Sequence, residues 1–215
     1  MKLTAAVAGA TGLVGGAVLR RLLEDPKVSR VVAPTRRPLP SHAKLQNPIF
    51  TTSWPVFPPL DEAYGCLGTT RTDAGSDDAF RAVDYDLAVA FAQAARKSGA
   101  QRFGLVSSLG ANAKSSLLYP RTKGEAESTL AGMGFETLVI ARPSLLLGKR
   151  EKPRTIEGVS EIALSLLTPI LIGALRKYRA IPGDTVAAAI IASVRGKFPG
   201  KLLLESDGLQ GFLVE

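Results

Sequence analysis

Apolar residues in this chain fall into short continuous runs and longer periodic stretches that alternate from end to end. Runs at Leu3–Ala8, Arg30–Ala33, Pro48–Thr51, Ala63–Cys66, Arg102–Ser107, Glu136–Ala141 and Lys201–Leu204 predict strands. Between them, Gly12–Glu24, Asp78–Ser98, Arg121–Ala131, Ser160–Leu175 and Pro182–Arg195 predict helices. The longest of these repeats Phe80, Val83, Leu87, Phe91 and Ala95 on one side with polar residues opposite. Asp77 and Asp78 are its candidate caps, and Gly99 its stop. Strands alternating with helices predict an α/β chain: a doubly wound parallel sheet in a three-layer αβα arrangement. The stretch from Pro34 to Pro59 holds Pro34, Pro38, Pro40, Pro48, Pro55, Pro58 and Pro59, so a loop or a shortened crossover is expected there in place of a helix. No linker or repeat divides residues 1–215, which read as a single domain with a small substrate-side segment at 144–179.

The first strand runs into Gly9-Ala10-Thr11-Gly12-Leu13-Val14-Gly15, and the first helix follows at once. Strand, glycine turn and helix together form a dinucleotide-binding turn of the Rossmann type. One glycine permits the turn, one lets the backbone approach a pyrophosphate, one lets helix and strand pack closely, and the helix N-terminus faces the negative charge. The spacing is G-x-x-G-x-x-G, so Gly9, Thr11, Gly12, Leu13, Val14 and Gly15 are the first candidate cofactor residues. An acidic partner for a ribose 2′-hydroxyl is missing, since no Asp or Glu occurs between Asp25 and Asp61. Arg36 and Arg37 stand at the end of the second strand instead and suit a 2′-phosphate, which points to NADP (NADPH) over NAD. Cys66-Leu67-Gly68-Thr69 forms a small-residue turn after the fourth strand and is expected to border the same cofactor.

Composition narrows the partners. The net charge is +8 and the pI about 9.8, but the cations are dispersed in pairs and do not alternate with aromatics. A binder of small anionic molecules is expected, with no nucleic acid and no membrane as partner. The apolar stretch Ile162–Leu175 contains Pro169 and is too short to span a bilayer. One cysteine excludes an internal disulfide, and a cytoplasmic protein is expected. No His/Cys/carboxylate cluster has metal-ligand spacing, and the one histidine, His42, reads as a surface residue. A homodimer is left open.

Catalytic chemistry is suggested by Ser107-Ser108 at the end of the fifth strand, with Tyr119 and Lys123 downstream. On a helix, Tyr119 and Lys123 are four residues apart and share a face. An ammonium beside a phenol favours the phenolate. Ser108 can hydrogen-bond a substrate carbonyl oxygen, and Tyr119 can protonate that oxygen as hydride arrives. Pro120 disfavours helical geometry at Tyr119 and predicts that Tyr119 sits at the helix cap.

With these residues the chain resembles the short-chain dehydrogenase/reductase superfamily, and within it the atypical branch that includes the Tat-interacting-protein-like oxidoreductases. The match is carried by the glycine turn, Cys66–Thr70, Val106–Ala111, Tyr119-x-x-x-Lys123-Gly124-Glu125-x-Glu127 and Ala141-Arg142-Pro143. The resemblance implies an NADP-binding Rossmann fold with Ser108, Tyr119 and Lys123 as the catalytic triad. It also places Ser107, Tyr119, Lys123, Arg142 and Pro143 among the residues that border the cofactor. The expected function is hydride transfer between NADPH and a small carbonyl substrate. The rival expectations are a non-catalytic NADPH-binding regulator and, with less support from chain length, a nucleotide-sugar epimerase. A basic loop, Lys149 to Arg154, could meet an anionic substrate group.

Overall fold

The computed structural model describes residues 2–148, 173–196 and 198–212. Seven strands form one wholly parallel sheet: β1 (Leu3–Ala8), β2 (Val28–Val32), β3 (Leu45–Gln46), β4 (Glu62–Gly65), β5 (Arg102–Val106), β6 (Thr137–Arg142) and β9 (Gly200–Glu205). Their order across the sheet is β3-β2-β1-β4-β5-β6-β9. The central strands read as continuous apolar runs because both faces are covered. On one face pack α1 (Leu13–Glu24) and α6 (Gly183–Arg195), around Val7, Val18, Leu22, Val139 and Ile190. On the other pack α4 (Ala88–Lys97) and α5 (Leu118–Ala131), around Phe91, Phe103, Leu130 and Ile140. This is the expected doubly wound α/β architecture. The direction of winding reverses between β1 and β4, so a crevice opens there at the carboxyl ends of the strands, where ligands of such sheets sit.

The proline-rich stretch holds no helix. The strand expected at Pro48–Thr51 is instead the two-residue β3 at Leu45–Gln46, followed by a single bridge between Thr35 and Ile49. Pro48 has no N–H to offer a ladder, which shortens the pairing there.

The long helix departs from its expected form in its middle. Ser76, and neither Asp77 nor Asp78, caps it: the Ser76 hydroxyl accepts from the Ala79 amide at 3.1 Å. Past the one-turn α2 (Arg71–Ala74), both aspartates occupy the first turn of α3 (Asp77–Arg81), favourably placed against the helix dipole. A π-helical segment at Ala82–Leu87 then links α3 to α4. Wider π turns shift the helical register, and here Asp84 turns inward while Val83 and Leu87 are only half-buried. Gly99, with φ +95°, ends the helix as expected.

Helix α5 begins at Leu118, three residues before the expected start at Arg121. Pro120 lies in its first turn, where no intrahelical N–H bond is lost, so Tyr119 is helical and not a cap. Two short strands, β7 (Leu146–Leu147) and β8 (Ile181–Pro182), pair with each other apart from the main sheet, near the two ends of the stretch 144–179. The basic loop Lys149–Arg154 lies outside the described residues. So does most of the helix expected at Ser160–Leu175, apart from 173–175 at the start of a 3-10 turn, Gly173–Tyr178.

Ion pairs fasten α6 to the rest. Asp184 receives both Arg20 and Arg21 from α1. Arg195 at the other end of α6 reaches buried Glu62 at 2.6 Å and Asp25 at 2.5 Å.

Candidate functional site

The glycine turn forms where β1 ends. Gly9 has φ +79°, a left-handed conformation that side chains resist, and a Cβ there would lie 2.4 Å from the Cys66 carbonyl oxygen. At Gly15, one turn into α1, a Cβ would lie 2.1 Å from the Gly9 carbonyl oxygen. Gly15 therefore lets the helix close onto the turn. Gly12 differs from both: its backbone is extended, it is exposed, and a Cβ there would meet only the Gly9 oxygen, at 3.2 Å. The space above Gly12 is open, directly over the N-terminus of α1. That helix begins without a side-chain cap and without an acid in its first turn. Its first N–H groups thus have no side-chain acceptor, the arrangement that suits an anion. Of the expected cofactor residues here, Thr11 and Gly12 face outward, and Val14 packs into the core. The Leu13 side chain is used in packing: a Cβ on Gly148 or Gly183 would come within 2.4 and 2.7 Å of it.

Arg36 and Arg37 are exposed on a turn just past β2. Asn47 staples that turn. Its amide donates to the Ala33 carbonyl at 2.6 Å and to the Thr35 hydroxyl at 2.7 Å, and its oxygen accepts from the Leu39 amide at 2.7 Å. Thr35 in turn donates to the Arg37 carbonyl at 2.6 Å. The two guanidiniums therefore rise from a held backbone.

After β4 the chain passes under Gly9 at Cys66. Burial pushes the Cys66 thiol up to about 12, so it is an inert apolar group at neutral pH and not a nucleophile. Gly68 and Thr69 then lie against a buried ion pair. Lys123 on α5 holds Asp84 from the π turn at 2.7 Å, and both side chains are buried. The Thr69 amide donates to the second Asp84 oxygen at 2.8 Å. A Cβ on Gly68 would sit 3.6 Å from the Lys123 ammonium nitrogen. The turn after β4, the π turn and α5 thus meet at one point.

Tyr119 stands one helical turn before Lys123, 44% exposed, with its ring 5.6 Å from that of Phe80. The two serines at the end of β5 have different environments. Ser107 is buried and donates to Glu127 at 2.5 Å, while Glu127 is gripped by Arg142 through two bonds of 2.9 and 2.5 Å. The Glu127 hydrogen bond, working against burial, raises the pKa of Arg142 and keeps it charged. Ser108 is half-buried, and its hydroxyl donates only to the adjacent Leu109 carbonyl, at 3.1 Å. The Leu109 amide reaches the Pro143 carbonyl at 2.9 Å, which ties the loops after β5 and β6 together. Gly124 lets the loop after Ser108 press on α5, since a Cβ there would lie 2.1 Å from the Ala113 amide nitrogen.

The structure therefore gathers Gly68, Thr69 and Lys123 with Asp84, and sets Tyr119 a turn away. It commits Ser107 and Arg142 to Glu127, leaving Ser108 the more available hydroxyl. Asp84 and Asn47 were not singled out from the sequence. An aspartate beside Val83 in the apolar helix pattern was the only signal for the first, and an asparagine next to a proline for the second. The residues fit a dinucleotide: an open cradle over Gly12, an uncapped helix N-terminus and two exposed guanidiniums past β2. Among the described residues no three His, Cys, Asp or Glu side chains gather as metal ligands, and no helix is long and apolar enough to cross a membrane.

No family model matches the chain. Curated relatives do. A protein of Debaryomyces hansenii named mitochondrial FMP52 is 32% identical, over 96% of this chain and 92% of its own length. Its namesake in Aspergillus clavatus is 36% identical, over 86% of this chain and 84% of its own. The chain belongs to the FMP52 family. These FMP52 proteins are named mitochondrial, which corrects the expectation of a cytoplasmic location. A single cysteine excludes an internal disulfide in either compartment, so the composition could not separate them.

Solved structures show the same fold as this FMP52 family member. MoeE5 in complex with UDP-glucose and NAD superposes with a TM-score of 0.70 at 16% identity, over 94% of this chain and 75% of that one. A short-chain dehydrogenase family protein of Francisella tularensis gives 0.66 at 13% identity, over 97% and 98%. The Lactococcus lactis oxidoreductase ylbE gives 0.55 at 20% identity, over 71% and 73%.

Proposed function

We propose that this FMP52 family member is an NADP-dependent oxidoreductase of the atypical short-chain dehydrogenase type, in the branch of the Tat-interacting-protein-like enzymes, acting on a small carbonyl compound. The observation that carries the reading is the cradle at Gly12, open to solvent over an uncapped helix N-terminus at the switch point of the sheet. That MoeE5 is solved in complex with NAD supports a nicotinamide dinucleotide there. Arg36 and Arg37, raised on the turn that Asn47 holds, would grip a 2′-phosphate and so favour NADPH. When bound, the dinucleotide supplies a hydride. Ser108 would hold the carbonyl oxygen, and the Tyr119 hydroxyl would give it a proton, so that the C=O becomes CH–OH. Lys123, fixed by Asp84, would set the charge beneath that phenol and the reach to the cofactor ribose. The names of the relatives support a mitochondrial place of work.

Titration of NADPH and NADH by fluorescence tests the cofactor half. NADPH should bind more tightly, and Arg36→Ala with Arg37→Ala should erase the difference; equal affinity of the parent protein for both would refute it. NADPH oxidation with a panel of aldehydes, ketones and quinones tests the catalytic half. Tyr119→Phe should slow turnover by roughly two to four orders of magnitude with cofactor affinity retained.

One observation favours a second reading, an NADPH-binding regulator. The Lys123 charge is already answered by buried Asp84, an arrangement that stabilises the fold whether or not chemistry occurs. No turnover with any carbonyl alongside tight NADPH binding would favour it.

A further inference from the structure

The two edges of the sheet are unlike. At one, β3 is only two residues long, and short edge strands resist pairing. At the other, β9 runs six residues in unbroken register with β6, without a bulge or an internal proline. The charges on that edge, Lys201 and Glu205, are of opposite sign, so they bar a like-charged partner strand and not a complementary one.

We infer that the open edge of β9 joins a second copy of this chain, antiparallel about a two-fold axis at Leu203. Three observations fix this register. The first is hydrogen-bond direction. The Gly200 amide donates to the Glu136 carbonyl at 2.7 Å, so Gly200 turns its polar groups toward β6. Alternation along a strand then turns Lys201, Leu203 and Glu205 outward, with N–H and C=O free for a partner strand. The second is charge. With the axis at Leu203, Lys201 of each copy faces Glu205 of the other, and the two ends of the strand are complementary to themselves. Parallel pairing in register would instead set lysine on lysine and glutamate on glutamate. The third is the apolar centre: Leu203 is 41% exposed between those charges and would meet its own mate across the axis. Lys201 is exposed, and the Glu205 side chain is 42% exposed, 3.9 Å from Arg142 within its own chain. Each outward residue in such a ladder exchanges two backbone hydrogen bonds with its partner. The two sheets would become one continuous sheet, and the self-complementary patch is what a two-fold dimer requires.

The pairing is independent of any catalytic role, and sedimentation velocity of the full chain over a wide concentration range tests it. The parent should sediment as a dimer. Lys201→Glu would place glutamates opposite one another at both ends and should weaken association by roughly 10- to 100-fold. Glu205→Lys should do the same, and the double swap Lys201→Glu with Glu205→Lys should restore the dimer. Leu203→Asp, which sets two carboxylates on the axis, should also give monomers, and it serves if Glu205→Lys disturbs Arg142 and fails to fold. A parent that stays monomeric would overturn the inference, as would a dimer that survives both Lys201→Glu and Leu203→Asp.

Discussion

Adding one methyl group at each of three neighbouring glycines should give three different outcomes. At Gly15 the new carbon would lie 2.1 Å from the Gly9 carbonyl oxygen and 2.7 Å from the Gly9 carbonyl carbon. Both are backbone atoms of a turn already pressed on Cys66, so no side chain can rotate away. Relieving the Gly15 contact from 2.1 Å even to 3.2 Å, the distance a methyl at Gly12 would keep from the same oxygen, requires α1 to retreat by about 1.1 Å, the scale of an overpacked core. Gly15→Ala should therefore lose roughly 1–3 kcal/mol of stability and, because the helix N-terminus moves with it, dinucleotide affinity as well. At Gly16 the nearest atom is the Ala10 oxygen at 3.3 Å. Alanine's helix preference, about 1 kcal/mol over glycine, then offsets the tight contact, and both stability and binding should stay near the parent's. At Gly12 the fold should also survive, since its φ of −84° suits any residue. The methyl would nevertheless occupy the space over the helix end, and NADPH affinity should fall at least tenfold. Urea unfolding and NADPH fluorescence titration on the three variants decide the matter. A Gly12→Ala protein that binds NADPH like the parent would refute the cradle, and a Gly15→Ala protein as stable as Gly16→Ala would refute the packing argument.

Other expectations follow from the buried polar groups. Ser107→Ala should lower stability, by leaving Glu127 short of a donor, while Ser108→Ala should lower turnover with little effect on melting; steady-state rates and thermal melts separate the two. Asp84→Asn keeps an acceptor for the Thr69 amide but takes the carboxylate charge away from the buried Lys123 ammonium, and should cost about 3–5 kcal/mol in urea unfolding. Arg195→Met removes the clamp on Glu62 and Asp25 and should lower Tm by roughly 6–20 °C. Burial pushes the Asp25 carboxyl up, but the Lys27 amide and the Arg195 guanidinium more than reverse this, and Arg21 with Arg20 likewise holds Asp184 low. The stability these two carboxylates contribute is therefore present above the usual Asp pKa of about 3.9 and lost as pH falls below it; acid unfolding of Arg195→Met should show a shallower loss over that range.

The sheet and the glycine turn were legible because their signals are local. A parallel strand buried on both faces must be apolar throughout, so β1, β5 and β6 announce themselves within one or two residues of their ends. Gly9 and Gly15 were visible for a related reason: a left-handed turn and a helix pressed on a carbonyl each accept almost only glycine. Strand β3 was misplaced because it has only two residues, and two residues leave no periodicity to read. The location was misread because the residues relied on are neutral between compartments.

Asp84 was hidden for a deeper reason. The helical pattern Phe80, Val83, Leu87, Phe91 assumes one pitch throughout, and the π turn at Ala82–Leu87 breaks that assumption where it matters. A buried carboxylate is costly unless it is answered, and its answer, Lys123, lies on another helix 39 residues further along the chain. Neither residue explains its own burial. Lys123 alone reads as half of a Tyr-x-x-x-Lys pair, and Asp84 alone as a solvated acid on a polar face. Only with the Thr69 amide does the group make sense: the two donors, the Lys123 ammonium and the Thr69 N–H, are met by the two oxygens of one Asp84 carboxylate. The turn after β4 that borders the cradle is thereby bound to the same carboxylate as the lysine beneath Tyr119. The wider π turn is what brings the carboxylate to that position.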